Sequence, residues 1–330
     1  MDRRHFLEGL SMAAAALAIP RIGAAATSST RRLAGVFPIG FTPVTAAGQI
    51  DFDGLAAQVK FCRRGGVQGI AWPQMASGWM TLTEQDRMQG AEALISAAKG
   101  GSTAIVIGVQ SKTADLAETG RYAAQAEKLG ADAIICIPPP GMTDPGELLH
   151  YYQQVGKTSS LPLFVQTVGD FSVDLVMEMF NSIPTFRYVK DEAGDPLKRV
   201  TEIRTRSNDQ LKCFSGRGVA TMITEMERGF VGHCPYVSLA DLYASAYDSY
   251  HAGRVRDAFD EFGRIEAASS MFAQSDVNVL IARGVFRPGT TARTNPPPPG
   301  AAPPRRSSAE SSPDAIKQEL DLYLKRYLRT

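Results

Sequence analysis

From residue 33 to residue 252 the chain alternates short apolar runs with longer amphipathic segments, and there are eight such runs. They are Leu33 to Ile39, Gln68 to Pro73, Ala104 to Val109, Ala133 to Ile137, Leu163 to Gln166, Phe186 to Lys190, Leu211 to Phe214 and Phe230 to Cys234. Short, near-continuous apolar runs of this kind suit strands covered on both faces, which pair in parallel through crossover helices. The segments between them carry a helical period: Leu55, Val59 and Cys62 are spaced i, i+4, i+7 and share one face. Thr83 followed by Asp86 resembles a capping box with Asp in place of Glu. Ser172 suits the cap of a helix over Val173 to Asn181, and Gly130 after Leu129 reads as a helix stop. An open doubly wound sheet and a closed barrel both fit this pattern. No Gly-x-Gly-x-x-Gly follows the first run, where a dinucleotide site needs it, and eight runs at near-regular spacing favour the α/β class as a (β/α)8 TIM barrel with additional C-terminal helices. In that fold functional groups come from the C-terminal ends of strands and the loops beyond them.

The flanks read differently. Arg3-Arg4 precedes His5-Phe6-Leu7, the apolar run Ala13 to Ile19 and then Ala24-Ala25-Ala26, the order of charged, apolar and small residues in an export signal. The Arg-Arg-x-Phe-Leu core resembles the twin-arginine signal, so residues 1–26 are expected to address the protein to the periplasm. The apolar run is too short to span a bilayer, and no other stretch of the mature chain is long and apolar enough. After the barrel at 33–252, residues 253–330 are expected to form C-terminal helices interrupted by a Pro-rich flexible loop at 285–313, because 8 of the 20 prolines fall between Pro288 and Pro313. Helices are expected over Ala240 to Ala252 and Arg254 to Phe272, and a last one over Ala315 to Leu328 docks through Leu320, Leu322, Leu324, Tyr327 and Leu328. With 35 Lys+Arg against 34 Asp+Glu there is no basic surplus to suggest nucleic acid. The four cysteines are widely spaced and read as small buried apolar groups. The four histidines are scattered, so no metal site and no cofactor are expected.

The segment Phe186-Arg187-Tyr188-Val189-Lys190-Asp191 ends a strand on lysine. Inside a barrel such an amine is confined; burial favours its neutral form, which attacks a carbonyl to give a Schiff base. On these residues alone a lysine snorkelling to solvent fits equally well.

Thr42-Pro43 with Gly48, Ile50 and Asp51, then Gly66-Val67-Gln68-Gly69-Ile70, Thr81-Leu82-Thr83-Glu84 and Gly108 follow one another in the first half. Gly130-Ala131-Asp132-Ala133, Leu161-Pro162, Val189-Lys190-Asp191 with Gly194-Asp195, Ser215-Gly216, Gly229 and Gly232 follow in the second. In order and spacing these pieces resemble the dihydrodipicolinate synthase and N-acetylneuraminate lyase family across residues 34 to 285. The resemblance implies a class I aldolase barrel, an oligomer (dimer or tetramer), a small 2-oxo acid as partner, and Lys190 as the Schiff-base lysine. It also exposes departures. Where the family has Gly-Thr-Thr-Gly-Glu, this chain has Gln74-Met75-Ala76-Ser77-Gly78; the family's proton-carrying tyrosine is Gln166, its Pro-Tyr-Tyr is Pro138-Pro139-Pro140, and its second-substrate arginine aligns with Phe171. Glutamine cannot transfer protons near neutral pH.

The expected site therefore comprises Lys190, Gln166 and His233 for chemistry, His233 being a proton donor to weigh beside Asp191 and Glu192. Met75 and Ala76 (through their backbone N–H groups), Ser77, Pro140, Phe171, Arg217 and Cys234 are the expected substrate contacts. Met75, Trp79, Pro139, Pro140 and Phe171 suggest an apolar or aromatic second half of the substrate. The function expected is a catabolic Schiff-base lyase, aldolase or dehydratase, on a pyruvate-like 2-oxo acid or its 4-hydroxy adduct, and not lysine biosynthesis. The competing reading is an exported, non-catalytic small-molecule-binding barrel.

Overall fold

In the computed structural model, which describes residues 33–217, 219–272, 275–297 and 312–329, each of the eight apolar runs coincides with a strand, three of the strands extending one residue further, to Thr167, Asp191 and Ser215. They are β1 (Gly35–Val36), β2 (Gly69–Trp72), β3 (Ala104–Gly108), β4 (Ala133–Cys136), β5 (Leu163–Thr167), β6 (Phe186–Asp191), β7 (Lys212–Ser215) and β8 (Gly232–His233). Every neighbouring pair from β2 to β8 is parallel, β8 pairs in parallel with β1, and a bridge between Ile39 and Ala71 closes the circle between β1 and β2. The architecture is thus the (β/α)8 TIM barrel expected from the sequence, with C-terminal helices added.

The crossover helices are α1 (Phe52–Arg64), α2 (Glu84–Ala98), α3 (Leu116–Leu129), α4 (Pro145–Val155), α5 (Val173–Ser182), α6 (Pro196–Arg206) and α7 (Met222–Arg228). Local chemistry sets their ends. Thr83 and Asp86 form the reciprocal capping box, the Ser172 side chain accepts from Leu175 N–H, and Gly130 ends α3 at φ 89°, a left-handed conformation that suits glycine. Leu55, Val59 and Cys62 of α1 are fully buried, and covering each apolar side chain contributes about 1.5–3 kcal/mol.

The core has two layers. Inside the barrel Phe164 stacks on Tyr188 at 4.4 Å, while Phe214 meets Phe164 edge-on at 5.0 Å and Phe37 at 5.2 Å. A larger layer lies between strands and helices. All four cysteines are buried and free, and burial pushes the Cys136 and Cys234 thiols up to about 12.

Helix α8 (Ala240–His251) completes the eighth β/α unit, and α9 (Val255–Met271), α10 (Asp276–Ala282) and α11 (Pro313–Glu319) follow the barrel. Two expectations for this region are corrected. Residues 285–297 are anchored: Val285 and Phe286 are buried, Thr291–Ala292 pairs antiparallel with Pro43–Val44, and Asn295 bonds the Met80 N–H and the Met75 carbonyl. In the terminal stripe Leu320 and Leu324 are buried but Leu322 is 71% exposed, because a residue two positions along a helix points to the opposite side. The expectations for residues 1–26 and for 298–311 of the proline-rich stretch lie outside the described residues.

Candidate active site

Strand periodicity decides what the end of β6 presents. Tyr188 joins the interior cluster and Val189 the outer one, so Lys190 returns to the interior and Asp191 to the helical layer. Lys190 is 3% exposed, in register with Gln166 on β5 and Phe214 on β7. Its Nζ lies 2.8 Å from Glu192 Oε1, with side-chain exposures of 4% for the lysine and 21% for the glutamate. Glu192 lies two residues beyond Lys190, on the same side of the extended chain, and so meets the amine directly. Gly216, just beyond β7, makes the approach possible: a Cβ there would stand 2.3 Å from Glu192 Oε1 and 2.6 Å from Lys190 Cε.

Gln166 is fully buried, and neither its Oε1 nor its Nε2 has a partner among the described residues. Leaving a buried amide unbonded costs on the order of 1–3 kcal/mol per group. Beside Lys190, such an amide can both donate to and accept from a polar group brought next to the amine.

Three expected residues face away from this amine. His233 lies in register with Val36 and Ser215 on the outer side of β8, fully buried, with Nδ1 3.0 Å from Glu225 Oε2 on α7. It is not a proton donor to Lys190, because successive residues of a strand point to opposite faces and Gly232 holds the inner position. Asp191 is pinned in the outer layer by the Arg199 guanidinium at 2.9 Å and by the Thr167 hydroxyl at 2.5 Å. Phe171 also belongs to the outer layer, its ring 6.2 Å from that of Tyr152 and its carbonyl accepting from Arg199. It does not line the mouth of the barrel.

The remaining expected contacts are divided. Met75, Ala76 and Ser77 form one 3-10 turn after β2, and the first N–H groups of such a turn have no partner inside it. Those of Met75 and Ala76 remain available to a carboxylate. The Ser77 hydroxyl donates to the Gly40 carbonyl at 2.6 Å and accepts from Gln74 N–H, so its proton is committed to the scaffold. Pro140 is exposed, as is Arg217, whose Nη1 donates to the Gly194 carbonyl at 2.6 Å. With Trp79 buried, Pro140 exposed and Phe171 turned outward, the expected apolar lining does not assemble.

Cys234 and Gly216 instead open onto a cavity of about 280 Å³ beneath α8 to α10. Its wall includes Tyr236, Ser238, Glu266 and Asp276. Burial raises the pKa of the Asp276 and Glu266 carboxyls above the ordinary carboxylate range, and Ser238 donates to Asp276. Tyr236, absent from the sequence expectation, is 54% exposed; burial of part of its ring and the charge of Asp276 raise its pKa, whereas Lys190 lowers it. Its position two residues beyond the last apolar run was the available signal, since loops after strands form the site face of this fold.

A family model described as the dihydrodipicolinate synthetase family matches residues 32–288. The chain belongs to that family. The 4-hydroxy-tetrahydrodipicolinate synthase of Rhizobium meliloti (strain 1021) is 28% identical over 205 residues, covering 60% of this chain and 68% of that protein. N-acetylneuraminate lyase from Mycoplasma synoviae superposes with a TM-score of 0.71 at 18% identity, covering 89% of this chain and 98% of that one. A prophage protein of E. coli K12 belonging to the dihydrodipicolinic acid synthase family, solved in complex with pyruvate, gives 0.71 at 18% identity and covers 88% and 98%. At these identities the two structures establish the shared fold.

Proposed function

We propose that the protein is a lysine-dependent lyase of the aldolase or dehydratase type, with Lys190 condensing with a pyruvate-like 2-oxo acid. The observation that carries the reading is the buried Lys190 amine on the inner face of the barrel, beside an amide with no partner among the described residues. Membership in a family with synthase and lyase relatives supports this reaction class. The protonated imine draws electrons from the bond beyond C3 and so permits C–C or C–O cleavage, or the reverse addition. In this reading the backbone N–H groups of Met75 and Ala76 hold the oxo-acid carboxylate, and Gln166 bonds the oxygen at C2.

The second half of the substrate enters the cavity past Gly216 and Cys234. The burial that raises these two carboxyls also disfavours a further carboxylate there, and the resemblance places Phe171 where the synthases hold an arginine. Both points argue against a lysine-biosynthetic synthase and for a catabolic lyase whose substrate tail is uncharged. The Arg3-Arg4 leader supports a periplasmic location, and kinship supports a homo-oligomer, dimer or tetramer. Glutamine at the tyrosine position supports the second reading, a barrel that binds an oxo acid without turning it over.

The test is borohydride reduction in the presence of pyruvate, followed by peptide mass analysis. The expected result is a reduced adduct on the peptide carrying Lys190. Absence of an adduct across several 2-oxo acids would overturn the Schiff-base reading; an adduct with no cleavage of any 4-hydroxy-2-oxo acid would favour the binder.

A further inference from the structure

We propose that Glu192 is the catalytic residue that carries protons during imine formation and hydrolysis. The proposal rests on the Schiff-base reading of Lys190. Within the described residues, Glu192 is the carboxylate that contacts the amine, with Oε1 at 2.8 Å from Nζ. Asp191 is committed to Arg199 and Thr167 on the outer side, and His233 to Glu225. Glu192 is also placed to exchange protons: its side chain is 21% exposed while that of Lys190 is 4% exposed, so one end of the pair meets solvent and the other the reacting centre. Gly216 leaves room for both side chains, and any side chain there would collide with the carboxylate and with Lys190 Cε.

The proton balance closes without another reactant. The ammonium of Lys190 gives a proton to the Glu192 carboxylate, and the neutral amine then attacks C2 of the oxo acid. The C=O pair moves to oxygen, which takes the proton back from Glu192. The new C–N nitrogen, now positively charged, returns a proton to Glu192. Glu192 then protonates the hydroxyl, the C–O bond breaks, water leaves, and the nitrogen lone pair forms the C=N bond. One ammonium and one ketone give one protonated imine and one water, with Glu192 restored as carboxylate. Hydrolysis runs the same steps in reverse.

The test measures the rate of borohydride-trapped adduct on Lys190 with pyruvate, in the native chain and in Glu192→Gln, Glu192→Ala and Tyr236→Phe. Loss of a general acid–base group predicts a slowing of about 100-fold or more in both Glu192 variants. Added formate is expected to restore the rate in Glu192→Ala, where it fills the space of the missing carboxylate, and not in Glu192→Gln. A merely structural glutamate would give no such rescue, and the rescue is readable even if the Gln variant folds poorly. An adduct at the native rate in Glu192→Gln overturns the proposal, as does slowing confined to Tyr236→Phe. A native chain that gives no adduct with any 2-oxo acid overturns the lysine reading itself, a distinguishable failure.

Discussion

Two base–carboxylate pairs stand two strands apart in this barrel and meet different fates. Lys190 and Glu192 lie on the inner side at the end of β6, with side-chain exposures of 4% and 21%; His233 and Glu225 lie in the outer layer, at 0% and 3%. The residue types alone favour the histidine as the more versatile proton carrier. Placement reverses that ranking: the inner pair adjoins a cavity and an amide without a partner among the described residues, whereas the outer pair is sealed among Phe230, Tyr247 and α7. A base–carboxylate pair can do chemistry only where a substrate can reach it.

The contrast breaks most sharply at the amine. Lys190→Met, which keeps the length and removes the nucleophile, is expected to take adduct formation and turnover to background in trapping and cleavage assays, with the barrel still folded by circular dichroism. Next comes Arg199→Met. It strands the fully buried Asp191 carboxylate without its guanidinium, and removing one partner of a buried pair costs about 3–5 kcal/mol, to be read from urea unfolding.

Glu225→Gln probes the sealed pair. It is expected to cost about 1–3 kcal/mol of stability, because the buried His233 Nδ1 and the Thr221 hydroxyl both bond the Glu225 carboxylate. The initial rate of adduct formation should stay within about twofold of native, since general acid–base loss would show as a hundredfold change. If that rate fell as far as in Glu192→Gln, the distinction between the two pairs would collapse.

The smallest effect concerns the cavity wall. Burial raises Asp276 above its ordinary 3.8, so the folded state binds its proton more tightly than the unfolded chain does. Its contribution to stability is therefore complete below 3.8 and is lost as pH rises through the raised value. Asp276→Asn is expected to flatten that decline in a series of thermal unfolding midpoints taken from acid towards neutral pH. An unchanged slope would show that the carboxyl is as well solvated in the fold as outside it.

All eight strands were legible because each is a run of apolar residues long enough to register in a linear reading, and the capping box and glycine stop spoke for themselves locally. Lys190 was legible too, through its place at a strand end and the surrounding family pattern. His233 and Phe171 were misplaced for a geometric reason: β8 spans two residues, so a one-residue change in register exchanges inner and outer faces, and the loop carrying Phe171 has no periodicity to fix its direction. The anchoring of Thr291–Ala292 on Pro43–Val44 joins segments far apart in sequence, and no local signal announces such a pairing.

By itself, then, the sequence determined the barrel, the family and the lysine at the end of the sixth strand, because hydrophobic period and spacing are properties of neighbouring residues. Only the tertiary structure decided that Glu192 reaches the amine, that Gln166 is left unpartnered beside it, and that the cavity wall carries carboxyls where an apolar lining was expected. The first is a contact within one strand end that depends on the room left at Gly216 on the next strand; the other two bring together side chains from different strands and loops, and chain order does not encode distances across a closed barrel.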